Sequence, residues 1–488
     1  MGLAHEKLAY SPVGRIFVTK KSQPADAMRS ILDSWRIRSG ALAATDGRWH
    51  DPKYGIVFQR GQGATLWDVL GRDYIDLTCG YSTANFGHCF PPLVQALSHH
   101  SGVIGHLTGE LHPAKIELAE QLLASTVYAN SNMPDLPEQH SLAAQIGNRV
   151  GAQTGRVIFN VSGSRAIETA WQAALAHRPG RILCLGPGFH GRSMATSPLS
   201  NLESPEEAVP VVNRAAFINW SSSEYPYCER CPVQLTYPAC DTQCGQPLLE
   251  FLQREAPSIS AVLVEPALGA RGYIVPPNEF FIRIRRVTNE HNVLMIADEI
   301  QTGLGRCGAM QLSAAQGWTP DLVVIGKSLG GGLLPISACV GRADVLDCLP
   351  PMAVSETFAA TPLACAVALE VLKQLRESDW IEMGSQIGEK LRQSAANCLG
   401  SFCTIGGIGA SCTIEFSGLD GRMEESQNLA QTFASACCRH GVLVHLSGPW
   451  RTRVVLLPPF VINQSELATA IERLGRAASE IIQCSRPE

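Results

Sequence analysis

Short apolar runs and amphipathic stretches alternate through the middle of this chain. "RVIFNVSG" (156–163) reads as a strand running into a turn. "SRAIETAWQAALAH" behind it places Ala166, Ile167, Ala170, Trp171 and Ala174 on one helical face. "RILCLG", "AVLVEP", "VLMIADE", "DLVVIGK" and "ISACVG" are five further strand-sized runs, and "EFFIRIRRVTNEHN" between two of them has helical periodicity. Strands with no polar alternation, separated by helices, predict a mostly parallel sheet covered on both faces. The fold class is therefore α/β, with a large domain over 80–349.

The pattern changes after Pro350 and Pro351. "TPLACAVALEVLKQL" and "EMGSQIGEKLRQSAANC" predict long amphipathic helices, and short strands follow near "CTIEFS", "VLVHL" and "TRVVLLPPF". A last helix starts at "NQSE", where Asn463 and Glu466 have capping-box spacing. Residues 350–488 read as a smaller α+β domain. Residues 1–79, with a hairpin expected in "GATLWDVLGRDYIDL", read as an N-terminal segment packing with that small domain.

Charge and hydropathy narrow the function classes. The net charge is −5 and no long basic stretch is present, which argues against nucleic-acid binding. No apolar run approaches the roughly 20 residues that span a bilayer. A protein without membrane association, in the cytoplasm, is expected. Most of the 17 cysteines sit inside apolar patterns and read as small buried hydrophobes. Cys228, Cys231, Cys240 and Cys244 differ: C-x2-C…C-x3-C is compatible with tetrahedral zinc, although the intervening stretch is shorter than in zinc ribbons. Packed free thiols are the other reading, and no metal is assigned.

Polar residues at the carboxyl ends of parallel strands mark the place where ligands bind. Lys327 ends "DLVVIGK" and precedes three glycines. It is either a lysine with its stem buried and its head in water, or an amine kept neutral for covalent chemistry. Asp298, Glu299 and Gln301 end "VLMIADEIQTG"; Asp298 is either a helix cap or a partner for a protonated ring nitrogen. Ser162, Gly163 and Ser164 form a strand-to-helix turn suited to an anion. Phe189 and His190 end another strand, where an aromatic face can cover a flat ligand.

In this order the motifs resemble the class III aminotransferases, fold-type-I pyridoxal 5'-phosphate (PLP) enzymes of the ornithine, acetylornithine and 4-aminobutyrate type. The resemblance runs over roughly residues 55–480. It rests on "YIDLTCGYSTANFGHCFP", "SGSRAIETA", "FHGRS", "EPALGARGYIVPP", "ADEIQTGLGRCG", "GKSLGGGLLP" and "ETFAATPLACA". It implies transamination between an amino acid or amine and a keto acid through a Lys327 Schiff base. It also implies that Asp298 pairs with the pyridine nitrogen and Gln301 with the phenolic oxygen. Gly163 and Ser164 would hold the phosphate, Phe189 with His190 beside it would stack on the ring, and Glu265 would lie beside the site. Thr357 would reach the cofactor phosphate of a second subunit, which implies a homodimer.

The chain departs from that pattern in three places. Val455 stands where many relatives carry a carboxylate-binding arginine. Arg453, on the same strand face, is the nearest replacement, or else a surface arginine. Ala270 stands where ornithine-type members carry a glutamate, and Arg271 beside it is a second carboxylate candidate, against an exposed loop arginine. Arg165 stands where the family has glutamate, and Tyr81 resembles a substrate-contacting tyrosine. The same scaffold also carries amino-acid racemases or epimerases and 2,2-dialkylglycine-type decarboxylases. A non-catalytic PLP-fold or zinc-held interaction protein is the more distant alternative.

Overall fold

Three short strands open the described structure: β1 (Phe58–Gln62), β2 (Thr65–Asp68) and β3 (Asp73–Asp76). The computed structural model describes residues 55–126, 128, 155–200, 217–220, 225–400, 403–417 and 422–484. The chain divides into two compact units, 1–60 with 67–72, and 61–66 with 73–488. In the first, Asp68 closes a turn. Its carboxylate accepts from Leu70 N and Arg72 N at 2.9 Å each and from Arg72 Nε at 2.7 Å. The second unit holds every candidate site residue.

The apolar runs of the middle of the chain form one seven-stranded sheet. Its strands are β4 (Gly155–Asn160), β5 (Arg181–Leu185), β6 (Phe217–Trp220), β7 (Ile259–Val264), β8 (Leu294–Asp298), β9 (Leu322–Ile325) and β10 (Ser337–Arg342). The spatial order is β4-β10-β9-β8-β7-β5-β6. β5 through β9 pair in parallel, while β10 runs antiparallel to both β4 and β9. The reason is the connection. Residues 326–336 between β9 and β10 hold only a short 3-10 turn, Lys327–Gly330, and no crossover helix, so the chain turns straight back.

Side-chain alternation sorts the sheet onto two cores. Ala261 and Leu263 of β7 pack with Ala166, Ile167 and Ala170 of α1 (Gly163–His177). Val262 and Val264 pack with Phe280, Phe281 and Ile284 of α2 (Asn278–Glu290). Every residue of β7, β8 and β9 is buried, which is why these strands are apolar apart from Ser260 and the terminal Asp298. Each fully buried aliphatic side chain contributes roughly 1.5–3 kcal/mol, so the strand ends are held rigidly.

After α3 (Pro362–Glu377), α4 (Trp380–Leu399) leads to a second sheet of β11 (Cys403–Gly406), β12 (Cys412–Phe416), β14 (His445–Ser447) and β15 (Arg453–Leu456), in the order β11-β12-β15-β14. It is antiparallel throughout. α5 (Met423–Arg439) and α6 (Gln464–Cys484) pack with α4 around Ile414, Phe416, Val454 and Leu456. β3 pairs in parallel with β13 (Val442–Leu443), and Ile75 and Leu77 join the same core. The capping box forms: Glu466 N donates to Asn463 Oδ1 at 2.9 Å and Asn463 N to Glu466 Oε2 at 3.0 Å. Among the described residues no helix is long and apolar enough to cross a membrane.

Candidate active site

β4, β5, β7, β8 and β9 point the same way, so their carboxyl ends share one sheet edge. Lys327 lies two residues beyond β9, after Gly326. Its φ is +45°, a left-handed conformation that costs a non-glycine residue about 1 kcal/mol or more. The packed end of the sheet holds it there. The amine donates to Gln301 Oε1. Loss of water around it lowers its pKa from the ordinary lysine range to about 8, against the opposing pull of the Glu265 and Asp298 carboxylates.

Asp298, the last residue of β8, is buried. Its Oδ2 lies 2.8 Å from His190 Nδ1, and its Oδ1 accepts from Ile300 N at 3.1 Å. The carboxylate therefore accepts a hydrogen bond from Nδ1–H of His190, whose backbone N–H donates to Ser200 Oγ at 2.8 Å. His190 Nε2 is buried with no hydrogen-bond partner among the described residues. Glu265, one residue past β7, is likewise buried. It accepts from Phe189 N at 2.7 Å and Gly269 N at 2.9 Å, and burial pushes its carboxyl upward in pKa.

Gly163 and Ser164 open α1. The N-cap Ser162 accepts from Arg165 N at 3.4 Å. The Gly163 Cα lies so near Ile300 that an added Cβ would come within 2.8 Å of it. Gly191 packs as tightly against Ser164, so the turn presents backbone rather than side chain. Phe189 is half-buried, with the Arg192 guanidinium 5.6 Å from its ring centre. These features fit an anionic, planar, carbonyl-bearing cofactor: an amine that loses its proton readily, a buried carboxylate, and a helix start with free N–H groups.

The structure also places residues that the sequence left unmarked. Tyr273 Oη accepts from Gln301 Nε2 at 3.3 Å and lies 3.0 Å from Ser82 Oγ, completing a chain from Lys327 to the turn at 79–82. Its position inside the quoted "GARGYIVPP" block was the only signal. Tyr81, in that turn, is 46% exposed and stacks on His445 at 3.9 Å. Arg271 is half-buried, not an exposed loop residue.

Arg453 is not a surface arginine: it is fully buried. Its guanidinium pairs with Glu229, lies 3.5 Å from Glu415, and covers the Tyr227 ring at 5.4 Å. Glu415 is held in turn by Arg230 at 2.7 Å. Sequence spacing could not reveal this, because Glu229 comes from the cysteine-rich segment some 220 residues away. In that segment Cys240 and Cys244 are buried and Cys228 is exposed. Among the described residues no group of three or more His, Cys, Asp or Glu side chains is arranged to hold a metal ion. Thr357 is exposed, on the loop that leads into α3.

Known proteins share this architecture. The family model described as Aminotransferase class-III matches residues 46–108 and 100–478. An ornithine aminotransferase of Emericella nidulans is 29% identical over 440 residues, 87% of this chain and 86% of that protein. A probable 4-aminobutyrate aminotransferase of Bacillus subtilis is 30% identical over 422 residues, 84% of this chain and 89% of that protein. A 6-fold mutant of a thermostable omega transaminase from Pseudomonas jessenii superposes with a TM-score of 0.74 at 25% identity, covering 88% of this chain and 94% of that one. The chain belongs to the class III aminotransferases, PLP-dependent enzymes of fold type I that carry an amino group from a donor to a keto acid.

Proposed function

We propose that this protein is a homodimeric cytoplasmic aminotransferase in which Lys327 carries the reaction. The supporting observation is its amine, hydrogen-bonded to Gln301 and lowered to a pKa of about 8 beside two buried carboxylates. A substantial neutral fraction at physiological pH makes Lys327 the amine that would hold an aldehyde-bearing cofactor covalently and that would serve as the base toward the substrate carbon. Bound PLP supplies the electron sink for that proton's removal.

The remaining residues orient and hold. Gly163 and Ser164 would take the phosphate on the N-terminus of α1. Asp298, fixed by His190, would keep the ring nitrogen protonated. Phe189 would stack on the ring. Gln301, its amide set by Tyr273, would serve the phenolic oxygen, with Glu265 behind Phe189 and the Gly269 turn. Thr357 would serve the phosphate bound to a second copy. Its exposure, beside Phe358 at 63% and Met352 at 80%, supports a subunit contact there.

The donor is an amino acid or a comparable amine. Arg271 is the carboxylate reader in this proposal, and Tyr81 lines the substrate side. Arg453 already has Glu229 and Glu415 against it and holds the loop bearing Gly272, whose Cα abuts its side chain. The test is product analysis with borohydride trapping. Keto acid must appear with amine left on the cofactor, and reduction must mark the peptide carrying Lys327. Formation of the inverted amino acid alone, or of carbon dioxide, would replace this reading with racemisation or decarboxylation.

A further inference from the structure

Arg165 and Glu356 are both unassigned, and they meet where the cofactor phosphate turn and the Thr357 loop come together. Arg165 Nε donates to Glu356 Oε1 at 2.9 Å, and its Nη1 pairs with Glu168. The other oxygen of Glu356 accepts from Val161 N at 2.9 Å and Asn160 Nδ2 at 3.4 Å, at the end of β4. Glu168 also accepts from Ser193 Oγ, and Arg192 N donates to Ser164 Oγ at 3.4 Å. Arg165, together with Glu168, thus joins three pieces: the Ser162–Ser164 turn, the loop after Phe189 and the loop bearing Thr357. An arginine in the first turn of a helix is unfavourable on its own, because the helix dipole is positive there. The two glutamates remove that cost and make the position tenable.

We propose that Arg165 and Glu356 form an ionic latch that positions Thr357 and the phosphate turn for the cofactor phosphate. Glu356 directly precedes Thr357, so fixing its carboxylate on Arg165 and Val161 fixes the approach of the threonine. The latch also has an electrostatic role. Without Arg165, Glu356 and Glu168 would place two uncompensated carboxylates beside a phosphate site. Arg165 and Glu356 are positioning residues, acting through the loop and the turn rather than on the reacting atoms. Because Thr357 serves a second copy, the latch ties each subunit's own phosphate turn to the loop that completes its neighbour's. The inference rests on the phosphate and Thr357 roles proposed above.

The experiment is equilibrium dialysis of the apoprotein against PLP and, separately, against pyridoxal, which lacks the phosphate. Arg165→Ala should weaken PLP on the order of tenfold or more, and Glu356→Gln by a smaller factor, since the second leaves no stranded charge. Pyridoxal affinity should stay within about twofold of the unmodified protein in both variants, a selectivity that general destabilisation does not produce. Arg165→Lys, which keeps the charge, should recover part of the loss. Adding Glu356→Gln to Thr357→Val should cost little beyond Thr357→Val alone. Equal losses for PLP and pyridoxal, or no loss from Arg165→Ala and Glu356→Gln, would overturn the latch. Loss from Glu356→Gln with none from Thr357→Val would instead overturn the assignment of Thr357 on which the latch depends.

Discussion

Two cations of this molecule, the fully buried Arg453 and the half-buried Lys327, have opposite surroundings. Arg453 sits among Glu229, Glu415 and Arg230, a cluster whose charges cancel. Lys327 has Gln301 as its direct hydrogen-bond partner, and the Glu265 and Asp298 carboxylates do not offset its lost hydration, so its pKa falls to about 8. A compensated buried charge fixes structure. An under-compensated one gives up its proton, and that readiness is what covalent amine chemistry needs. Asp321 repeats the first case, held by Arg285 at 2.5 Å and Arg342 at 2.8 Å. Burial alone therefore does not mark the reactive group; at a lysine, lost hydration with incomplete compensation does.

The sharpest way to break this contrast is to delete each cation. Lys327→Ala should cut turnover by about three orders of magnitude or more while the protein stays folded, because the lost amine serves both covalent linkage and proton transfer. Single-turnover keto-acid formation measures it, and near-native turnover would sink the assignment. Arg453→Ala should do the reverse. It removes a fully buried side chain and one of the two cations paired with the buried Glu415, and should cost roughly 1–3 kcal/mol of stability in denaturant unfolding, with turnover of the folded fraction far less affected. A stable variant with selectively weakened amino-acid substrates would return Arg453 to the substrate site.

Smaller effects sharpen the picture. Asp298→Asn should lower turnover on the order of a hundredfold with cofactor still bound, since an amide cannot keep the ring nitrogen protonated. Retained turnover would make the aspartate merely the cap of the turn after β8, held by Ile300 N. Arg271→Ala should lower the ratio of kcat/KM for an amino acid over its decarboxylated amine by about tenfold. An unchanged ratio would leave carboxylate reading to other groups. The mildest test is titration. In apoprotein, labelling of Lys327 by an amine-reactive reagent should rise with pH through a midpoint near 8, because the neutral amine reacts and burial lowers its pKa. A midpoint in the ordinary lysine range would remove the contrast with Arg453.

The amino-acid sequence by itself determined the alternation of strands and helices, the α6 capping box, and the polar residues that follow β4, β5, β7, β8 and β9. These are local: apolar period, capping spacing and turn chemistry are written in neighbouring residues. The sequence could not give strand direction. "ISACVG" predicts a strand equally well either way, and the turn over 326–336 made β10 antiparallel. Nor could it give charge partners. The closure of Glu229 on Arg453, of Glu356 on Arg165 and of Tyr273 on Gln301 joins segments 224, 191 and 28 residues apart. Arg453 illustrates the limit. Its place on the strand face with Val455 was legible, but whether it met water, a substrate or two glutamates depended on which distant loop folded over it. Compensation of a buried charge is a property of the packed interior, where hydration is lost and only the neighbours supplied by the tertiary fold remain.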